Sequence, residues 1–328
     1  MKILVIRFSA IGDIVWTTPA IRCLKQQIPN AVIHFCTKKI YQEVVENNPY
    51  IDTFHFLDEK GLHFLLKTLQ NENFDFVIDL HNNQRTAYLK FRLGKKSYTY
   101  KKLRFRRWLF VKFKLKNVLP KNHIADRYLE TLKPLGIVPD QKGLDFFIAP
   151  NKIIPLDYFP ELHQKEGFAV FVIGASYFTK RLPIQKMLAL CKKITLPIVL
   201  IGGKEDQIMG DELINLFEKE TQTKDFIFNT CGKLSIAQSA SVVQQSKVVF
   251  AHDTGMMHIA AAFQKKLYSI WGSTVPELGL FPYKNENAIL LENKNISCRP
   301  CSRMGKDACP KKHFKCMNDL DFSNVVIE

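Results

Sequence analysis

Four short turns in this chain set small residues and hydroxyls beside charges, the pairing that anion binding and proton transfer use. The first is Ser9-Ala10-Ile11-Gly12-Asp13. Taken alone, Asp13 reads as a helix cap as readily as a functional carboxylate. The second is Gly174-Ala175-Ser176, with Thr179-Lys180-Arg181 just beyond. The third is Gly202-Gly203-Lys204-Glu205-Asp206, and the fourth is Asp253-Thr254-Gly255 with His258 one helical turn on. Small residues let backbone N–H groups approach an oxyanion, and helix N-termini favour negative charge. None of the four fits G-x-x-x-x-G-K-[ST] or G-x-G-x-x-G, which disfavours a P-loop NTPase and a typical NAD dehydrogenase. Taken singly, Lys180 reads as a solvated lysine, His258 as a helix histidine and Gly202-Gly203 as a tight turn. Their order and spacing together carry the weight.

Such turns need strands to hold them. Residues 2–8 (KILVIRF) form an apolar, β-branched run of the kind found in buried parallel strands. A helical period follows over 13–28, stopped by Pro29, then a strand at 31–36, a helix at 39–48, a strand at 54–57, a helix at 61–72 and a strand at 75–80. Residues 124–134 read as a helix that closes this half. Residues 149–166 hold three prolines without a period and read as a linker. The pattern repeats with strands at 168–173, 197–201, 247–251 and 267–271, and helices at 183–193, 205–220, 235–245 and 256–263. Alternating strands and helices predict two doubly wound α/β halves with ligands at strand carboxyl ends. The expected division is 1–150, a linker at 151–166, and 167–328.

The length of 328 residues suits two domains, and 46% hydrophobic with 24% charged residues excludes a disordered chain. No apolar run reaches the roughly 18 residues of a membrane span, and the N-terminus lacks a secretory pattern. A cytoplasmic protein is expected. Net charge is +16, which favours an anionic partner. Residues 80–125 contain no Asp or Glu and carry 14 Lys and Arg.

In combination, these motifs resemble glycosyltransferase family 9, the lipopolysaccharide heptosyltransferases. The resemblance rests on RFSAIGDIVWTTPAIRCLK, DFVIDLHNNQRT, GASYFTKRLP, IGGKED, AHDTGMMHIAAA, WGSTVPE and the tail CRPC…C…CM. It implies the GT-B architecture: two Rossmann-like domains facing a central cleft, acceptor on the first and donor nucleotide on the second. It implies Asp13 as general base in an inverting transfer of heptose from ADP-heptose to a lipopolysaccharide inner-core acceptor. Ser9 and Gly12 belong to the same phosphate or acceptor loop. Lys180, Ser176, Asp253, Thr254, Gly255 and His258 would bind the donor diphosphate, and Asp206 the ribose, with Glu205 as its rival. Two positions depart from the family pattern: Val275 after the Gly-x-Thr turn, and Leu182 before the proline of the Lys180 motif. No Asp-x-Asp motif stands at any of the four turns, so no cofactor is expected to be required. Within the same class, another nucleotide-sugar and a surface polysaccharide are the alternative.

Two features stand apart. Cys298-x2-Cys301-x7-Cys309-x6-Cys316 places four of eight cysteines within 19 residues. A structural zinc, reduced thiols and a labile disulfide are the readings. Residues 101–116 (KKLRFRRWLFVKFKLK) interleave bases with Phe, Trp and Leu. One reading is a solvated loop or strand pair. Another is a surface on which Lys101, Lys102, Arg104, Arg106 and Arg107 meet anionic headgroups or a lipid-linked saccharide acceptor at the cytoplasmic face of the inner membrane. No nucleic-acid motif accompanies the patch, so no nucleic acid is expected as a partner; a non-catalytic basic lipid- or nucleic-acid-binding protein is the alternative from a different class.

Overall fold

The computed structural model describes residues 1–115 and 117–326; Lys116, the last base of the 101–116 run, lies outside the described residues. The chain forms two compact units. One is Met1–Leu103 with Asn122–Phe147; the other is Arg104–Lys121 with the chain from Ile148 onward.

The first unit holds β1 (Lys2–Ile6), β2 (Val32–Lys38), β3 (Thr53–Leu57), β4 (Phe76–Asp79) and β5 (Lys96–Thr99). They form one parallel sheet in the order β3-β2-β1-β4-β5. Strand order reverses at β1 and β4, where Ile6 pairs with Asp79. In doubly wound sheets such a reversal opens a crevice beyond the strand ends. The Ser9–Asp13 turn leaves β1 at that point, and His81 follows β4. The strand interiors are apolar because helices cover both faces; Ile3, Leu4, Val5 and Ile6 are fully buried.

The second unit repeats the plan with β6 (Ala169–Val172), β7 (Ile198–Ile201), β8 (Ile227–Asn229), β9 (Val248–His252), β10 (Lys266–Trp271) and β11 (Ala288–Glu292). The order is β11-β10-β9-β6-β7-β8, again parallel. Here the reversal lies between β6 and β9, whose following loops carry Lys180 and Asp253. Phe250 stacks on Tyr268 at 4.8 Å within the core.

The structure differs from the sequence reading in particular places. The expected helix over 13–28 is two helices, Ile11–Val15 and Thr18–Gln27. Pro19 cannot donate an amide to a continuing helix but fits the first turn of a new one. Residues 39–44 are 3-10 helix. β5, β8 and β11 were not expected; each is short and lies at or beside a sheet edge, where period-2 patterning is weakest. Residues 104–113 form a helix, rather than a loop or strand pair.

The unit boundary falls between Phe147 and Ile148, and the basic helix belongs to the second unit although it interrupts the first in sequence. Three contacts explain this. Arg107 donates to the Leu278 carbonyl (3.3 Å), Phe110 is buried, and Lys114 donates to the Pro300 carbonyl. Residues 151–166, expected as a linker, pack on the second unit. The Ile154 amide donates to Ser241 Oγ (2.8 Å), and buried Phe159 lies 4.8 Å from Phe168.

Candidate functional site

In the first unit the site is built on Arg7, the residue that follows β1. Its guanidinium is buried, and it donates to the Ser9 carbonyl (2.8 Å) and the Leu80 carbonyl (2.7 Å) while pairing with Asp13. Burial alone would weaken the charged form of Arg7, but Asp13, with Tyr128 and Tyr100, offsets this and the net shift is upward. The Ala10 amide donates to the other Asp13 oxygen at 3.3 Å. Asp13 is therefore held at the front of a short helix with about a third of its side chain open to solvent (32%). Gly12 is buried beside it, and the Ser9 carbonyl ties the loop to Arg7. Such a carboxylate is oriented, charge-balanced on one side and accessible on the other, as a general base must be.

His81 joins the same region. Burial, with help from Arg7 and Lys102, pushes its pKa down to about 4, so it is a neutral imidazole at physiological pH. Lys102 thus stands near enough to act on His81 and lies within the first unit, before the basic helix begins.

In the second unit Lys180 meets Asp253. Lys180 Nζ lies 2.7 Å from Asp253 Oδ2 and donates to the Asp253 carbonyl at 3.1 Å. Thr274 Oγ1 donates to the same carboxylate oxygen (2.8 Å). An ammonium has three N–H groups, and among the described residues two are spent on Asp253, so the third can meet a ligand. Thr254 is the N-cap of helix Gly255–Ala262 without making a capping bond, and its buried Oγ1 has no partner among the described residues. An orphan hydroxyl beside free helix N–H groups and an ammonium is an arrangement that accepts phosphate oxygens. Ser176 is exposed on the adjoining loop, whereas His258 is buried in the helix.

Asp206 sits differently from expectation. It is 1% exposed; its carboxylate accepts the Gly203 amide (2.8 Å) and pairs with Arg181 (3.2 Å). A Cβ on Gly174 would fall 2.2 Å from Asp206 Oδ2, and one on Gly202 would fall 2.7 Å from Asp206 Cβ. These glycines let the backbone close over the carboxylate, so Asp206 organises the turn, and its neighbour Glu205 is the exposed acid.

Sequence reasoning passed over the supporting residues. Arg7 and His252 lie inside the quoted motifs, and each is a polar interruption of an apolar strand run, which was a readable signal. His252 is fully buried, accepts the Leu182 amide (3.0 Å), and is driven to a pKa of about 4 by burial. Thr179 carried no such signal. Its hydroxyl accepts from Ser273 Oγ (2.8 Å) and the Lys306 amide (2.8 Å), bonds that only the tertiary fold creates.

On the basic helix, Arg107 faces inward to Leu278, which removes it from the expected exposed surface. Exposed beside Arg104 and Arg106 are Phe105, Trp108 and Phe113. Phe105 stacks on Trp108 (5.9 Å), Phe113 meets Trp108 edge-on (5.5 Å), and Lys112 lies over both of the latter rings. No helix among the described residues is long and apolar enough to cross a membrane.

Two Rossmann-like parallel-sheet units, each with charged loops at its topological reversal, define the GT-B class of glycosyltransferase fold. The family model for glycosyltransferase family 9 (heptosyltransferase) matches residues 62–312, and the chain belongs to that family. Among curated proteins it is similar to lipooligosaccharide heptosyltransferase 2 of Haemophilus influenzae, with 24% identity covering 98% of this chain and 99% of that one. It is 31% identical to lipooligosaccharide heptosyltransferase 2 of Campylobacter jejuni over 46% of this chain, a match that spans 43% of the Campylobacter protein. Among solved structures, E. coli heptosyltransferase WaaC with ADP superposes with a TM-score of 0.67 at 21% identity, covering 88% of this chain and 92% of that one.

Proposed function

We propose that this enzyme transfers heptose from ADP-heptose to a lipopolysaccharide inner-core acceptor, with inversion at the anomeric carbon. The names of the relatives support the sugar and acceptor class, and the ADP bound by WaaC supports the nucleotide. The observation that carries the chemistry is the Lys180–Asp253 pair beside the unpartnered Thr254 hydroxyl. Lys180 and the N-terminus of helix Gly255–Ala262 hold the donor diphosphate. The acceptor oxygen attacks the anomeric carbon as the bond to phosphate breaks. Its proton passes to Asp13, and the bonding electron pair leaves on the diphosphate. Charge growing on that leaving group is met by Lys180 and the helix N–H groups, so these residues supply the electrostatic stabilisation.

Thermal unfolding with ADP, UDP, GDP or CDP tests the donor. A ligand at about 100 times its dissociation constant adds about 2.7 kcal/mol to the folded state and raises the midpoint by several degrees. ADP alone is expected to do so. A shift with UDP or GDP instead would keep the transferase and overturn ADP-heptose in favour of the other nucleotide-sugar reading.

The exposed Phe105-Trp108-Phe113 face, flanked by Arg104, Arg106 and Lys112, supports peripheral contact with an anionic membrane. Aromatic rings enter the headgroup region while the bases meet phosphate. The chain should co-sediment with anionic phospholipid vesicles at low salt and release as salt rises. The Phe105→Ser/Trp108→Ser variant should bind several-fold more weakly. Equal sedimentation with purely zwitterionic vesicles would defeat the electrostatic account.

A further inference from the structure

Outside the transferase site, one group of ligating side chains in the first unit has donor atoms that already converge. His34, His55 and Glu72 each offer an atom, and these atoms all lie within 4.8 Å of one another. We propose that the three residues bind one divalent transition-metal ion of the zinc class.

The sheet is what brings them together. Leu4 pairs with His34, and Cys36 pairs with His55, in parallel register. Side chains alternate along a strand, so Lys2, His34 and His55 share one face. That face is otherwise apolar: Leu4, Ile6, Cys36 and Phe74 form one cluster there with Leu65, Leu66 and Leu69 of helix Gly61–Gln70. His34 and His55 are 3% and 5% exposed, and each interrupts an apolar strand, VIHFC and TFHFL. Glu72 follows the helix and keeps 28% of its side chain open to solvent.

The geometry is close to that of a metal site. His34 Nδ1 and His55 Nε2 stand 2.8 Å apart, and Glu72 Oε2 lies 4.0 Å from His34 Nδ1. Phe74 meets both rings edge-on, at 5.1 and 6.2 Å, and so restrains their planes. Around tetrahedral zinc, with bonds of about 2.0–2.2 Å, neighbouring donor atoms stand about 3.3 Å apart. The nitrogens must open and the carboxylate must close, each by less than about 1 Å. One imidazole donates its N–H to the other. Moving that proton to its own second ring nitrogen leaves two lone pairs facing the ion. The ion takes the place of the shared proton, and no proton leaves the pair. Two imidazoles and a carboxylate suit zinc and leave a fourth position for water.

A route and a stand-in cation complete the case. His55 also lines a cavity of about 230 Å³ beside β3, with Lys39, Asp58 and Thr68. Through it an ion and its water reach nitrogens that the core otherwise covers. The Lys2 ammonium stands 3.0 Å from Glu72 Oε2 and balances its charge. That side chain is 36% exposed, so it can turn to solvent when a dication arrives. Lys2 opens β1 and Glu72 precedes β4, toward the strand ends opposite the Asp13 turn. The proposal therefore does not depend on the donor or acceptor reading.

Cobalt titrated into the untagged full chain tests the site, because its spectrum reports the donor atoms. All eight cysteines are free, so those of the tail can take up added metal and must be told apart. Cobalt on His34, His55 and Glu72 should give visible d–d bands without a sulfur-to-metal charge-transfer band, and zinc should displace it. His34→Gln and His55→Gln should each abolish those bands, and Glu72→Gln should weaken binding at least about 10-fold. Lys2→Met should bind cobalt more tightly, since no ammonium then competes for Glu72. If the histidine variants fail to fold, Glu72→Gln and Lys2→Met decide, because both side chains are partly exposed. Cobalt bands accompanied throughout by thiolate charge transfer, bands unchanged in His55→Gln or Glu72→Gln, or weaker binding by Lys2→Met would each overturn the site.

Discussion

Asp13→Asn is expected to lower turnover by about 10²–10⁴-fold while leaving nucleotide affinity intact. The reasoning starts from the sheet. β1 ends against β4, and Arg7 leaves that end buried, bonded to the Ser9 and Leu80 carbonyls. It pairs with Asp13 and fixes its orientation, and Asn would keep the volume and an acceptor oxygen while losing the ability to take a proton. Arg7 would retain both carbonyls. It would be left buried (7% exposed) with those two bonds and the Asn oxygen but without the opposite charge, so a stability cost of about 1–3 kcal/mol is expected. Steady-state kinetics with ADP-heptose and acceptor, beside equilibrium ADP binding, separates the two effects. Unimpaired turnover by a folded Asp13→Asn enzyme would remove Asp13 from the chemistry. A parallel loss of ADP affinity would make it a donor ligand instead.

The second large effect concerns the other unit. Lys180→Met should destabilise the protein by about 3–5 kcal/mol, because it leaves Asp253 buried with Thr274 Oγ1 as its remaining side-chain partner. Asp253 is 6% exposed and the Lys180 side chain 13%, so solvent screens this pair little. Adding Asp253→Asn to Lys180→Met should recover much of the loss, since the uncompensated charge then disappears. Urea unfolding of the two single variants and the double gives the coupling directly. Stabilisation by ADP should vanish in Lys180→Met and stay absent in the double variant. If the double is as unstable as the single, the cost lies in lost packing and not in an unpaired charge. If ADP still stabilises both, Lys180 does not bind the diphosphate.

These two expectations rest on residues that the sequence exposed to different degrees. Asp13, Lys180, Asp253 and Thr254 were visible because strand, turn and helix signals are local, and a small residue beside a charge at a strand end reads in one dimension. The two doubly wound halves were visible for the same reason. Buried parallel strands are continuous apolar runs, and residues 2–8, 168–173 and 247–251 stand out as such. The short strands β5, β8 and β11 did not. β5 (KSYT) is polar and β8 (IFN) has three residues, so neither shows the apolar run of a buried strand, and all three are edge strands fixed by pairing with one neighbour.

What the chain's own order settled, then, is the fold class, the placing of the four turns and the membership suggested by their sequence. Tertiary structure alone decided the rest. It turned Asp206 inward, because Gly174 and Gly202 lack the Cβ atoms that would have kept the backbone off it. It placed Arg104–Lys121, which contains the basic helix, on the second unit, with Arg107 and Lys114 bonded to it, although Met1–Leu103 and Asn122–Phe147 on either side belong to the first. It tied Thr179 to Ser273 and Lys306, positions about 94 and 127 residues away. Such bonds satisfy buried polar groups across long sequence separations, and no local pattern encodes which distant partner will arrive.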